Sequence, residues 1–287
     1  MLSYQHAYHA GGPADLHKHA AFAALLTLLT VKARPISVIE SHAGRGLYDL
    51  ASPETAKTGE AARGIARVTP ADLAGPRHAE ADREGADLAS ADLAGAGAFA
   101  RALAAARARF GPEAYPGSPL IARALLRAGD RLTLCELHPA EHAALRTNLN
   151  AAVRNTPPGP RWAVHRRDGH EALPALVPPD PRRGLALLDP SYEVKTEYAR
   201  TAETALTTLR RWPEGCALVW YPLIDDRHLA LTEPLRAAHP DALIDEAAFA
   251  DPPARGMHGS GLILLNPPWG ADRALADTRA ALAPILR

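Results

Sequence analysis

GLALLDPSY, residues 184–192, is the stretch whose reading decides the fold: an unbroken run of small and aliphatic residues, then Asp189, Pro190, Ser191 and Tyr192. A short apolar run closed by turn residues predicts a strand buried on both faces, as in a parallel sheet covered by helices. Working outward, similar runs stand at 36–40, 131–136, 162–166, 216–223, 242–249 and 261–266. Between them, 15–32, 139–153, 196–212, 225–238 and 272–286 carry apolar residues at three and four spacing. Seven strands alternating with helices predict an α/β, Rossmann-like, doubly wound sheet with helices on both faces. Such sheets act on ligands from the carboxyl ends of their strands, which is where Asp189 falls.

One interval breaks the alternation, because the first strand ends near Glu40 and the second begins near Arg131. The insert between them includes 72–97, rich in Ala, Gly, Asp and Glu, which predicts a surface loop or weakly packed helix. SPLIARALLRAG (118–129) then predicts a helix with Ser118 as N-cap, Pro119 at the first position and Gly129 just past the end. The expected division is 1–48 for the N-terminal segment, first helix and first strand, 49–116 for an inserted helical subdomain, and 117–287 for the rest of the sheet domain.

Lys plus Arg number 32 and Asp plus Glu 32 in 287 residues, so no global field draws the chain to polyanions and any nucleic-acid surface must be local. The two cysteines, Cys135 and Cys216, lie inside apolar runs. That placement argues against a disulfide framework or a cysteine zinc site and fits a reducing, cytoplasmic setting. MLSYQHAYHAGG lacks the apolar core of a signal peptide, and no run reaches the ~18 apolar residues of a membrane span, so neither secretion nor membrane insertion is expected.

The residues around the strand ends suggest a nucleoside pocket. Gly44 and Gly46 follow the first strand in a turn that lets backbone approach a ligand, although an ordinary strand-to-loop turn uses the same pair. Glu136 ends the second strand, where a carboxylate accepts from both ribose hydroxyls. It lies 90 residues beyond Gly46 rather than the usual ~20, the surplus being the insert. Asp168 ends the third strand and is placed to accept from an adenine amino group, or simply to make a turn before Gly169. The helix starting at Ser118 offers N–H groups and a positive dipole end to a carboxylate. Ribose, adenine and carboxylate together describe S-adenosylmethionine.

Asp189 and Pro190 fit methylation of an exocyclic amine. The amine's lone pair is delocalised into the base, and two acceptors aimed at its N–H groups, the Asp189 carboxylate and the Pro190 carbonyl, draw the nitrogen toward tetrahedral geometry. Tyr192 is then placed to stack on the base. A strand-ending turn accounts for the tetrapeptide equally well on its own. GLILLNPPW (261–269) is a competing copy with Asn266 in the acidic position, and chain order favours Asp189.

Taken together, MLSYQHAYHAGGPADLHKH, ESHAGRGLY, YPGSPLIA, CELHP, DGHEAL, RRGLALLDPSYE, ALVWYP and RGMHGSGLILLNPPW resemble the bacterial family of 23S ribosomal RNA adenine-N6-methyltransferases known as RlmJ, from the first residue to about Trp269. The resemblance implies a monomeric Rossmann-like methyltransferase with a helical insertion. It puts cofactor contacts on His19, His42, Ser118, Glu136, Asp168 and Gly169, catalysis on Asp189, and a substrate-facing role on Tyr4, with Lys18 a further substrate-side residue. It implies 23S rRNA, protein-free or early in assembly, as the partner, with no membrane and no obligate protein partner. Ser191 departs from the proline usual in the family's reactive loop, a change of roughly 0.4–1 kcal/mol in unfolded-state entropy. The insert is also longer and more Ala-rich.

His6, His9, His17 and His19 invite a metal reading, but no carboxylate or cysteine stands at a convincing ligand spacing in sequence, and no metal is expected. Arg255, in DPPARGMHGSG, is placed to touch RNA from a Gly-rich loop. Two rival functions stay open: a DNA adenine-N6 methyltransferase with the same reactive loop, and a non-catalytic RNA-binding protein that retains the nucleoside pocket.

Overall fold

The computed structural model describes residues 6–74, 96–154 and 156–287. Tyr4 and all but the two ends of the Ala-rich stretch 72–97 lie outside the described residues. The strands are β1 (Ser37–Glu40), β2 (Leu47–Asp49), β3 (Ala114–Pro116), β4 (Arg131–Cys135), β5 (Arg161–His165), β6 (Gly184–Leu188), β7 (Gly215–Leu223), β8 (Leu243–Ala248) and β9 (Gly259–Leu265). The helices are α1 (Pro13–Thr30), α2 (Pro53–Thr58), α3 (Glu60–Arg63), α4 (Pro70–Ala74), α5 (Gly97–Phe110), α6 (Ser118–Leu125), α7 (Pro139–Val153), α8 (Gly169–Leu176), α9 (Glu197–Arg211), α10 (Leu229–Ala238) and α11 (Ala271–Ala281).

Among the described residues, the seven apolar runs form one sheet in the order β5-β4-β1-β6-β7-β9-β8. β1 pairs in parallel with β4 and β6, and β4–β5 and β6–β7 are parallel too. The chain moves outward from β1 to β4 and β5, then returns to the other side of β1 as β6. This reversal opens a crevice over the carboxyl ends of β1 and β6, the place where open α/β sheets bind ligands. β6 is buried at every position, as its unbroken apolar run requires.

β9 runs antiparallel to both neighbours, with Leu265 opposite Ala217 and Gly259 opposite Leu223. Asn266 therefore leaves the sheet at the edge where the parallel strands begin, while Asp189 leaves β6 at the opposite edge. There the Asn266 amide donates to the Gly215 carbonyl at 3.1 Å. The second tetrapeptide thus closes a strand, and the reason is strand direction rather than distance along the sheet.

Two sequence expectations need correction. The first helix was expected as an amphipathic crossover over 15–32, but α1 begins at Pro13 and precedes the first strand, and every residue from Pro13 to Leu26 is buried. A helix buried all round is a core element. α1 packs on α5 and α6 of the insert side, on α11, and on β7 and β9. Second, Ser118 is not the N-cap. Extended Gly117 takes that place and its carbonyl accepts from the Ile121 N–H at 3.0 Å, so the Ser118 hydroxyl is free to donate elsewhere. α6 also stops at Leu125 rather than near Gly129.

The stretch 49–116 holds α2 to α5 and β3, and its neck is a two-stranded antiparallel ribbon of β2 and β3. The boundary expected at 48/49 falls within β2. One apolar core runs through the sheet, α1 and the insert, with Phe22, Phe99 and Tyr115 fully buried. Among the described residues, no helix is long and apolar enough to cross a membrane. Because Phe22 sits on the helix that joins insert to sheet, Phe22→Ala is expected to cost about 3–5 kcal/mol of stability. Urea unfolding followed by circular dichroism measures it.

Candidate functional site

Two adjoining cavities open at the carboxyl edge of the sheet. The larger, about 200 Å³, is lined by all six residues expected to hold a cofactor: His19, His42, Ser118, Glu136, Asp168 and Gly169. The smaller, about 170 Å³, has an aromatic and aliphatic wall of Tyr192, Trp220, Pro222, Ile224 and Met257. His6, Lys18, Asp189 and Ser191 line both.

The shared wall is ionic. Lys18 Nζ lies 2.5 Å from Asp189 Oδ2 and 3.1 Å from Asp15 Oδ1, and the Lys18 side chain is only 4% exposed. Burial opposes the ammonium charge, but Asp189 and Asp15 outweigh it and hold the Lys18 pKa above its ordinary value. Burial raises the Asp189 pKa, only partly offset by Lys18. Asp15 goes the other way: burial works against its charge, yet His19, His6 and Lys18 hold its pKa well below the usual carboxylate range. Asp15 Oδ2 also accepts from the Gly11 N–H at 3.0 Å, and Oδ1 stands 3.0 Å from His6 Nε2. The Lys18 ammonium sits 5.7 Å from the centre of the Trp220 ring, within cation–π range.

In the larger cavity, Glu136 is held by backbone: its carboxylate accepts from Gly44 N–H at 2.8 Å and His138 N–H at 2.7 Å. Burial raises its pKa above the ordinary value. Gly44 has φ 60°, and a Cβ there would meet the Tyr48 hydroxyl at 2.5 Å, so both conformation and space call for glycine. Asp168 caps α8 by accepting from His170 N–H at 2.9 Å, and its other oxygen accepts from Arg200 at 2.9 Å. Gly169 needs to be glycine for packing, since a Cβ would lie 1.9 Å from the Ser41 carbonyl oxygen. His19 donates or accepts at the Tyr115 hydroxyl, 3.0 Å away. Burial lowers both His19 and His42 to a pKa of about 3, leaving neutral imidazoles at pH 7.

Below this cavity Ser118 Oγ donates to Glu40 Oε2 at 2.6 Å. Glu40 is fully buried, and burial pushes its pKa up to about 8, so the carboxyl is protonated at neutral pH.

On the smaller cavity, Tyr192 has φ 55°, a left-handed conformation rare for a bulky residue. It is anchored by its hydroxyl donating to the Trp220 carbonyl at 2.7 Å and by the Tyr198 ring at 4.5 Å between centroids. The ring is only 5% exposed, so it forms wall rather than projecting into the space. Pro190 is buried behind Asp189. Arg255 is exposed on the loop joining β8 to β9 and lines neither cavity, but the register of β9 puts that loop at the same edge as Asp189. Met257 of this loop lines the smaller cavity.

The structure adds Asp15, His6, Glu40, His170 and Glu197 to the site. Asp15 was legible in principle, because Asp15, Lys18 and His19 stand at i, i+3 and i+4 on one helix face. The N-terminal histidines each meet a carboxylate: His9 meets Glu60 at 2.8 Å, and His17 meets Asp245 at 3.2 Å. The convergent histidine pair lies elsewhere, in His42 and His170 with Glu197.

A family model described as "Ribosomal RNA large subunit methyltransferase D, RlmJ" matches residues 33–79 and 106–286. The chain is 34% identical over 96% of its length to "Ribosomal RNA large subunit methyltransferase J" of Escherichia coli, covering 90% of that protein. It is 33% identical to the protein of the same name from Haemophilus influenzae, covering 96% of this chain and 91% of that one. A crystal structure of a Legionella pneumophila protein superposes with a TM-score of 0.74 at 30% identity, over 96% of this chain and 92% of the other. An identity of a third sustained from end to end shows that the chain belongs to the RlmJ family of ribosomal RNA large subunit methyltransferases.

Proposed function

We propose that the chain transfers a methyl group from S-adenosylmethionine to the exocyclic N6 amine of an adenine in 23S rRNA. The observation that carries this reading is the common wall: a polar cavity and an aromatic cavity meet at Asp189. The names of its relatives support ribosomal RNA as substrate.

The larger cavity suits the cofactor by its donor and acceptor set. Glu136 presents a carboxylate to ribose hydroxyls, Asp168 an acceptor to the adenine amine, and the start of α6 at Ser118 a positive dipole end to the amino-acid carboxylate. His19, His42 and Gly169 complete the wall. The bound cofactor supplies an electrophilic methyl on a sulfonium. Asp189 accepts from the amine N–H, and the Pro190 carbonyl accepts the second, which localises the nitrogen lone pair. Methyl transfer to the nitrogen would release the cofactor's thioether and one amine proton, which Asp189 is placed to take and pass to water. Lys18 holds the Asp189 carboxylate in place. The acceptor base occupies the smaller cavity against Tyr192 and Trp220. Tyr4 and Arg255 contribute from the substrate side, Arg255 to phosphate. The rRNA is engaged protein-free or early in assembly, in the cytoplasm.

Asp189→Ala is expected to abolish tritiated-methyl incorporation into rRNA, by about 10²-fold or more, while calorimetric binding of S-adenosylmethionine persists. Asn266→Ala, at the other edge of the sheet, should retain most activity. Equal losses in the two variants would move the chemistry away from Asp189, and absence of incorporation by the native chain would favour the non-catalytic binder.

The pH profile follows from the same wall. The active form is the Asp189 carboxylate, whose pKa burial raises, so the single-turnover rate should fall with acidification at a higher pH than an unperturbed aspartate would set. A rate constant flat down to pH 4 would contradict this.

Substrate choice rests on local contacts, because zero net charge gives the chain no general phosphate attraction. A stacked adenine must be extruded at a cost of a few kcal/mol, less in a loop or weakly paired element than in a duplex. Protein-free rRNA should therefore be methylated and duplex DNA of matched sequence ignored. Equal incorporation into DNA would establish the DNA methyltransferase reading instead.

A further inference from the structure

The wall of the larger cavity carries a second convergence of groups, in which His42, expected at the cofactor, is joined by two residues that the proposed methyl transfer leaves unused. His42 comes from the turn after β1, His170 is the second residue of α8, and Glu197 opens α9, and one ligand atom of each lies within 4.8 Å of the other two. The imidazole rings are 5.0 Å apart between centroids and inclined at 65°. His170 Nε2 is buried with no hydrogen-bond partner among the described residues, and its side chain is 3% exposed. The nearest carboxylate oxygen, Glu197 Oε1, stands 3.9 Å away, beyond hydrogen-bond reach.

The surrounding hydroxyls fix what these rings present. Thr204 Oγ1 gives its proton to the Arg200 carbonyl at 2.8 Å, so toward His170 Nδ1, at 3.1 Å, it can only accept. The neutral tautomer of His170 that fits this hydroxyl carries its proton on Nδ1 and its lone pair on Nε2. His42 is also held by a hydroxyl, with Ser41 Oγ 2.8 Å from its Nδ1 and 3.2 Å from the Leu187 carbonyl. Two imidazoles and a carboxylate thus converge, each offering one ligand atom. Arg200, the cation closest by, is turned to Asp168 at 2.9 Å.

We propose that His42, His170 and Glu197 form a binding site for a divalent transition-metal ion, with zinc the best match. Two neutral imidazoles and one carboxylate are a common three-ligand set for zinc, with water in the fourth position. Hydroxyl or carbonyl partners on the far ring nitrogen are the usual way such ligands are oriented. Metal–ligand bonds of roughly 2.0–2.2 Å bring ligand atoms to about 3.4 Å of one another, so the widest separation closes by at most about 1.4 Å. The ion ties the start of α9 to β1 and α8. Ser191 of the reactive loop donates to Glu197 Oε2 at 3.3 Å, so the same ion would order that loop, at the position where the family's usual proline is missing. The role is that of a clasp and involves no redox step. This inference rests on the ligand geometry and not on the identity of the methyl acceptor.

The test uses the untagged full-length chain, equilibrated with zinc and dialysed against metal-free buffer, with bound metal counted by plasma mass spectrometry and Co²⁺ affinity read by visible absorbance. One equivalent of zinc is expected in the native chain and none in His170→Ala. Glu197→Gln, which preserves shape, should also lose the equivalent, and serves where His170→Ala fails to fold. Thr204→Val keeps all three ligands but frees the imidazole, and should weaken Co²⁺ binding by about 10–100-fold. Absence of a bound equivalent in the native chain, or its retention in both ligand variants, overturns the proposal.

Discussion

The site is organised around one buried ammonium. Lys18 stands on a helix with no solvent face, between Asp15 on its own helix and Asp189 on the far side of the cleft. A charge so buried is tolerated only when paired, and removal of one partner leaves an uncompensated ion that costs several kcal/mol. The position of α1 against β6 is therefore tied to an electrostatic requirement as well as to packing. That tie fixes the separation of the two cavities, since both are bounded by the same four side chains.

Sheet direction does the rest of the placing. Two tetrapeptides of similar chemistry end β6 and β9, and each turns through a non-glycine residue in the left-handed region, Tyr192 and Asn266 respectively. Only β6 runs parallel to β1, so only its tetrapeptide is delivered to the crevice. Reversal of β9 has a second effect, because it brings the loop carrying Arg255 and Met257 back to the functional edge. The edge of the sheet where we place the ligand is thus built from the ends of parallel strands and the beginning of an antiparallel one.

Much of this was legible in the chain. The seven strands follow from apolar runs, and Glu136, Asp168 and Asp189 were readable because each ends one of them. What was not legible depends on direction, tertiary distance or electrostatic environment. Periodicity carries no strand direction, so the reversal of β9 could not be read from GLILLN. Glu40 is a carboxylate in sequence and a neutral carboxyl in the fold, a difference made by burial alone. His42, His170 and Glu197 are far apart along the chain, and no ligand spacing announces them. Ser118 was assigned to the right element with the wrong duty: the helix start called for a capping hydroxyl, and Gly117 supplied the cap by conformation instead.

Glu40 also sets the charge of the cleft. With its carboxyl protonated and His19 and His42 neutral at pH 7, these three add no charge, and the central balance rests on Asp15, Lys18 and Asp189. Two carboxylates face one ammonium at the junction, and in the larger cavity the Glu136, Asp168 and Glu197 carboxylates outnumber the Arg200 guanidinium, so the balance of the cleft is negative, in a space where charge acts strongly. A sulfonium donor is cationic and its thioether product is not. The excess therefore favours the donor over the product in the proposed cycle, and the discrimination disappears as the methyl group leaves. Were Glu40 ionised, the added negative charge would strengthen donor binding but press directly on Asp189, raising its pKa further and lowering the fraction of the carboxylate that the amine requires. Burial holds Glu40 neutral against the pull of the donating Ser118 hydroxyl, and so keeps Asp189 the anionic group at the junction.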